Sequence, residues 1–129
     1  MIKLISRKES TLINQFFKFI ADRKLTDAGR KLERLGQTMT EKQWSRGYYN
    51  ALQGMSLAFK SRDHRYVYIS QIDSDDPKKI NSVRRKFLEQ SRNPLQSDFD
   101  KGFFTAWLDY LRFLKKSISK KMTSYNESL

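Results

Sequence analysis

The chain has 129 residues and no Cys, and its 26 Lys and Arg against 14 Asp and Glu give a net charge of +12. This length suits one domain that buries its own core, and the absence of Cys excludes disulfides, thiolate metal sites and thiol nucleophiles. No apolar run has the length of a signal peptide or approaches the roughly 20 residues of a membrane span. We therefore expect a single domain, residues 1–129, in a cytoplasmic protein with no integral membrane association.

The chain contains two Pro and five Gly, and most of its apolar residues recur at helical spacing. The first predicted helix runs from about 10 to 24, where apolar residues lie three and four apart between Leu12 and Ala21. A second helix is predicted from Thr26, as its N-cap, to Gly36, which suits a left-handed helix terminus.

A third helix is predicted from 41 to about 61. Thr40 and Gln43 match a capping box, and Met39 and Trp44 match the hydrophobic staple around it. The helix contains Gly47 and Gly54, each of which costs about 0.8 to 1 kcal/mol relative to Ala. Both glycines therefore indicate the close approach of another helix.

Residues 61–72 break the helical period, so an extended connection is predicted at about 61–75. Pro77 then opens a fourth helix that ends near residue 91 and buries Ile80, Val83 and Phe87. Ser97 and Asp100 match the start signature of a last helix with a broad apolar band. A flexible C-terminal tail is predicted at about 123–129.

The third and fifth helices share the pattern G-[YF]-[YF]-x-A, at residues 47–51 and 102–106. In both, Gly and Ala four residues apart make a notch beside a bulky apolar ridge, which lets two helix backbones approach. The sequence thus predicts an all-α fold, a compact bundle of four to five helices with these two at its centre. Duplication of a helical hairpin is the alternative explanation for the repeat.

Residues 40–115 carry the order W-x-R-G-Y-Y-x-A-L-x-G-M, then a basic helix, then N-P-L-x-x-[DE]-F-D-x-G-[FY]-F-x-A-W. This order resembles an uncharacterised family of small all-helical archaeal proteins. The resemblance implies a cytoplasmic archaeal protein and supplies no mechanism.

The sequence contains few candidate catalytic residues. His64 is the only histidine, and beside Asp63 and Arg65 it is typical of a solvated loop residue. Asp98 and Asp100 are explained by helix capping and Asp109 by a solvent-facing position. No phosphate-binding loop, dinucleotide fingerprint or nucleophile elbow is present. We expect no enzyme activity, no metal and no cofactor.

The positive charge is concentrated in two segments. Residues 78–92 hold six Lys and Arg against one Glu, a net +5, and residues 112–121 hold five cations and no acid, also +5. Such localisation favours an anionic partner, and phosphate contacts require Lys and Arg along a face. The predicted nucleic-acid-binding residues are Lys78, Lys79, Arg84, Arg85, Lys86, Arg92, Arg112, Lys115, Lys116, Lys120 and Lys121, joined by Arg62 and Arg65.

The sequence favours a non-enzymatic protein bound to RNA or a ribonucleoprotein, with Arg62, His64, Arg65, Tyr66 and Tyr68 as a stacking element. RNA is preferred because recognition by shape needs no sequence-reading motif. One alternative is a protein-interaction module whose exposed aromatic face docks a partner helix or makes a homodimer, with the charges incidental. An acidic protein is a further candidate partner. The others are solvated basic helix faces without a ligand and a peripheral membrane role.

Overall fold

A computed structural model describes residues 5–60 and 77–127, with the side chains of 5–57, 77–90 and 92–117. This part of the chain confirms the predicted all-α fold, since it forms five helices and no strand. The helices in chain order are α1 (Arg7–Ala21), α2 (Leu25–Thr38), α3 (Gln43–Lys60), α4 (Pro77–Ser91) and α5 (Asp98–Glu127). The extended connection predicted at about 61–75 lies outside the described residues.

The first two helices form a hairpin joined by residues 22–24. α1 begins earlier than predicted, because the Ser6 hydroxyl accepts from the Glu9 N–H and the Glu9 carboxylate accepts from the Ser6 N–H. The spacing Ser6-x-x-Glu9 is itself the sequence signal for this capping box. α2 begins at Leu25 with Lys24 as its N-cap, so the prediction of Thr26 as the cap is wrong. The turn that ends α1 leads directly into α2.

Gly36 does not end α2, which continues to Thr38. No glycine of the described residues has a positive φ, so Gly36 is an ordinary helical residue. The space beside it is filled by Tyr49, since a Cβ on Gly36 would lie 2.7 Å from the tyrosine hydroxyl oxygen. The missing side chain at Gly36 therefore admits a tyrosine from α3.

The two glycine-containing helices, α3 and α5, pack at the centre of the bundle as predicted. A Cβ on Gly47 would lie 2.7 Å from the carbonyl carbon of Phe99, and a Cβ on Gly102 would lie 2.8 Å from that of Trp44. Each glycine thus faces the backbone of the residue three positions before the other glycine. The fully buried Ala51 extends the contact on α3. This geometry confirms the G-[YF]-[YF]-x-A packing motif.

Three other expectations for α3 are wrong. No described atom outside the local helix backbone lies within 4 Å of a Cβ built on Gly54, so that glycine does not mark a helix contact. The helix begins at Gln43, two residues later than predicted. Thr40 does not occupy the N-cap, because a helix that begins at Gln43 has its N-cap at Lys42; the Thr40 hydroxyl donates to the hydroxyl of buried Ser45 at 3.0 Å.

Aromatic contacts connect the remaining helices to α5. Phe17 of α1 lies 5.3 Å from Tyr110 and 5.9 Å from Phe113, measured between ring centroids. α4 begins at Pro77, as predicted, and buries Ile80 completely. α5 begins one residue after Ser97, whose hydroxyl accepts from the Asp100 N–H at 3.2 Å. It continues to Glu127, so residues 123–127 are helical where a tail was predicted; no Pro or Gly interrupts them.

Candidate nucleic-acid interface

The predicted phosphate-binding residues with described side chains are all exposed. Six of them belong to α4 and the turn after it, and three belong to α5. They are Lys78, Lys79, Arg84, Arg85, Lys86, Arg92, Arg112, Lys115 and Lys116. Their ammonium and guanidinium groups are therefore accessible to a ligand.

The ring contacts between α4 and α5 show how the two basic segments align. Phe87 stacks on Trp107, with centroids 5.4 Å apart and planes at 5°, and lies 5.8 Å from Phe104. A connection of only six residues, 92–97, joins the two helices, and so short a link makes them antiparallel neighbours. Phe87 is therefore level with the first half of α5.

The buried Ile80 of α4 lies two helical turns before Phe87, about 10 Å away along the helix axis. The matching position on α5 lies two turns after Phe104 and Trp107, at the buried Leu111 and Leu114. Lys78 and Lys79 are consequently level with Lys115 and Lys116. We call α4, α5 and the nine exposed cations named above the basic hairpin.

Four of the predicted binding residues lie beyond the described side chains. Lys120 and Lys121 fall within the backbone range of α5, whereas Arg62 and Arg65 precede α4 in the chain. The stacking element predicted around Tyr66 and Tyr68 also lies outside the described residues. The basic hairpin is the part of the predicted surface that the structure describes.

The prediction that Asp109 faces solvent is wrong, because this residue of α5 is half-buried. The Tyr48 hydroxyl donates to its carboxylate at 2.8 Å. Burial raises the pKa of Asp109 above its ordinary value of 3.8, and the hydrogen bond from Tyr48 and the charge of Arg112 oppose that rise. Burial, followed by the charge of Asp109, raises the pKa of Tyr48, which keeps its proton and remains a donor.

The described aromatic side chains are all buried or half-buried. The large apolar side chains exposed among the described residues are Leu57 on α3, at 54%, and Leu95 before α5, at 91%. Two separate leucines do not form an extended apolar patch of the kind that marks a protein interface. The described residues thus give no support to a docking surface made of exposed aromatics.

The described part of the chain contains no group of three or more acidic or histidine side chains that could hold a metal ion. None of its helices combines the length and the apolar character that crossing a membrane requires.

Comparison with known proteins supplies no relative: no protein-family model, curated protein or solved structure matches this chain. The resemblance to small archaeal helical proteins stays a prediction from the sequence.

Proposed function

We propose that this protein is a non-enzymatic binding protein that holds RNA, free or within a ribonucleoprotein, through the basic hairpin. The observation that carries the proposal is the alignment of two exposed cationic rows on neighbouring antiparallel helices. Lys78 and Lys79 stand level with Lys115 and Lys116 along the helix axes, which favours contact of one polyanion with both helices. Protein contacts to phosphates come mainly from Lys and Arg, and they do not depend on the base sequence.

The balance of charge on the basic hairpin supports the same proposal. Its nine exposed cations outnumber the acids of the same helices, since Glu89 is the one acidic residue within α4. On α5, Asp98 and Asp100 occupy the first turn, about four turns before Lys115 and Lys116. Half-buried Asp109 is hydrogen-bonded to Tyr48. Positive charge therefore predominates on these two helices, which favours a polyanionic ligand.

Binding of a generic single-stranded RNA, measured by fluorescence anisotropy over a salt series, tests the proposal. We expect affinity to fall steeply with salt, because phosphate contacts release counterions. Changing Arg84, Arg85, Lys115 and Lys116 to Glu should abolish binding at moderate salt. If each cation contacts one phosphate, removing the four flattens the slope of log K against log salt by about 3.

The matched control changes four exposed cations away from the basic hairpin, Arg7, Lys8, Lys18 and Arg34, to Glu. It alters the net charge by the same amount, so it separates a defined surface from bulk electrostatics. Circular dichroism checks that both variants remain helical. Equal losses in the two variants, or wild-type binding that ignores salt, would contradict the proposal. Salt-independent capture of a protein partner would instead support the protein-interaction alternative.

A further inference from the structure

A cleft of about 350 Å³ lies between the end of α2, the link to α3 and the outer face of α3. Its volume falls within the range of small-molecule sites, about 300 to 1,000 Å³. The lining combines an apolar and aromatic part with a polar part on one helix face. The first consists of Met39, Tyr49 and Phe99, and the second of Arg46, Asn50 and Gln53.

Structural contacts hold the Tyr49 ring in place and fix the backbone that carries Phe99. The Tyr49 hydroxyl donates to the Leu32 carbonyl at 3.2 Å, and the tyrosine ring occupies the space left by Gly36, where a Cβ would lie 3.0 Å from Cζ. Phe99 is positioned by its backbone, which lies against Gly47. Fixed aromatic faces are the platforms on which unpaired bases stack.

The polar side chains are arranged to contact the rest of such a ligand. Arg46, Asn50 and Gln53 follow one another at intervals of four and three residues, so they share one face of α3. All three are exposed, and their side chains have no hydrogen-bond partner among the described residues. Asn and Gln amides pair with the N6 and N7 atoms of adenine, and a guanidinium binds phosphate in a bidentate manner.

We propose that the cleft holds one unpaired nucleotide of the bound RNA, with its base against Tyr49 and Phe99. Asn50 and Gln53 contact the edge of the base, and Arg46 contacts a phosphate. The proposal rests on the proposed function in one respect, namely that the nucleotide belongs to an RNA. The cleft is lined by Phe99 in the first turn of α5, whereas Lys115 and Lys116 lie more than four turns further along that helix. The two contact regions are therefore separate.

The cleft is also lined by one acidic side chain, which allows the binding of a phosphate to be distinguished from the binding of a base. Glu41 lines it, and its carboxylate repels a phosphate without affecting a neutral nucleoside. Replacing Glu41 with Gln should therefore tighten the binding of adenosine 5′-monophosphate and leave adenosine unchanged. Replacing Arg46 with Gln should weaken the monophosphate about tenfold and again leave adenosine unchanged.

Titration of the full chain with both ligands, followed by NMR chemical shifts, measures these effects. Tyr49→Leu should weaken both ligands because it removes the stacking face, whereas Tyr49→Phe keeps the ring, loses the hydrogen bond to Leu32, and should bind both ligands more tightly than Tyr49→Leu. Lys18→Gln, on the exposed face of α1, is the control for loss of one positive charge. If wild type binds neither ligand, or if Arg46→Gln and Tyr49→Leu bind as wild type does, the nucleotide site is overturned.

Two arms separate this proposal from the proposed function. The charge-reversed basic hairpin should lose RNA and keep adenosine monophosphate, which shows that the cleft acts independently. A short oligoadenylate should displace the monophosphate from wild-type protein. If the monophosphate binds and the oligonucleotide does not compete, the assignment to RNA is overturned and the cleft is a site for free nucleotides. If RNA binding fails its salt test while the monophosphate still binds, the proposed function falls, and with it the assignment of the nucleotide to RNA, whereas the nucleotide site itself stands.

Discussion

Gly47 and Gly102 lie at positions where only glycine leaves room for the backbone of the opposite helix. Both lie inside a helix, where Gly lowers stability relative to Ala, and both face the backbone of the opposite helix. A side chain there would meet a carbonyl group, which cannot rotate away as the end of a side chain can. Gly54 stands in the same helix with open space around it. The same amino acid thus has opposite consequences at positions seven residues apart.

Substitution of these glycines by Ala should separate the two cases. Gly47→Ala and Gly102→Ala should each lower the free energy of unfolding by about 3 kcal/mol, because overpacking here forces the backbones of α3 and α5 apart. Gly54→Ala should raise it by up to about 1 kcal/mol through helix propensity alone. Chemical denaturation of the three variants measures the effect. Loss of stability in Gly54→Ala equal to that in Gly47→Ala would contradict the helix-contact explanation.

At the scale of single elements, the end of α1 is the feature with the clearest physical cause. The Lys24 N–H donates to the Phe19 carbonyl and the Arg23 N–H to the Ile20 carbonyl, which together form a Schellman motif. The motif requires a left-handed residue at Arg23, whose φ is 61°. For a residue other than Gly this conformation costs about 1 to 2 kcal/mol. The tight connection to α2 is thus formed with some strain at Arg23.

Arg23→Gly should therefore stabilise the protein by about 1 kcal/mol, because glycine adopts the left-handed conformation without a Cβ clash. Burial raises the pKa of Tyr110, and the charge of Arg23 opposes that rise, so removing the Arg23 side chain has an effect of its own. Arg23→Ala removes that charge and keeps the conformational cost, which makes it the matched control. In thermal unfolding, Arg23→Gly should have a higher Tm than Arg23→Ala. The reverse order would show that the backbone conformation at residue 23 is not strained.

At the scale of the whole molecule, the bundle is held together at its centre by glycine contacts, aromatic contacts and one polar pair. Tyr48 and Asp109 are 61 residues apart in sequence and join α3 to α5. Tyr48 is almost fully buried, whereas Asp109 is half-buried. Burial disfavours the charged form of the carboxyl group, so the folded state holds the Asp109 proton more tightly than the unfolded chain does.

The raised pKa of Asp109 makes a contribution to stability with a definite sign. This stabilising contribution is fully present below the ordinary pKa of 3.8. It is lost as pH rises through the higher pKa that Asp109 has in the folded state. Asp109→Asn removes this ionisation and keeps an oxygen that can accept from Tyr48. The unfolding free energy of the variant relative to wild type should therefore increase between pH 4 and pH 7. If the difference in unfolding free energy stays constant or falls over that range, the hydrogen bond from Tyr48 and the charge of Arg112 fully offset the effect of burial on the pKa of Asp109.

Particular residues show how far prediction from sequence reached. Pro77 and Ser97 marked helix starts correctly, because caps and helix starts depend on neighbouring residues. The predictions from local patterns at Thr26, Gly36 and Thr40 are wrong, and two of these residues have a different role that depends on distant or non-helical neighbours. Thr40 donates to Ser45 and Gly36 makes room for Tyr49. The exposure of the cations on α4 and α5 followed from helical periodicity, whereas their alignment did not.

The amino-acid sequence by itself determined that the chain is helical, that aromatic residues fill its interior, and that two glycine-containing helices pack together. These properties follow from periodicity, composition and the local cost of Gly in a helix. Only the tertiary structure decided which backbone each glycine meets, that Asp109 receives a hydrogen bond from Tyr48, that the two cationic rows stand level, and that a cleft opens beside Tyr49. Each of these depends on contacts between residues far apart in the chain, and local spacing carries no information about which distant residue fills a given position.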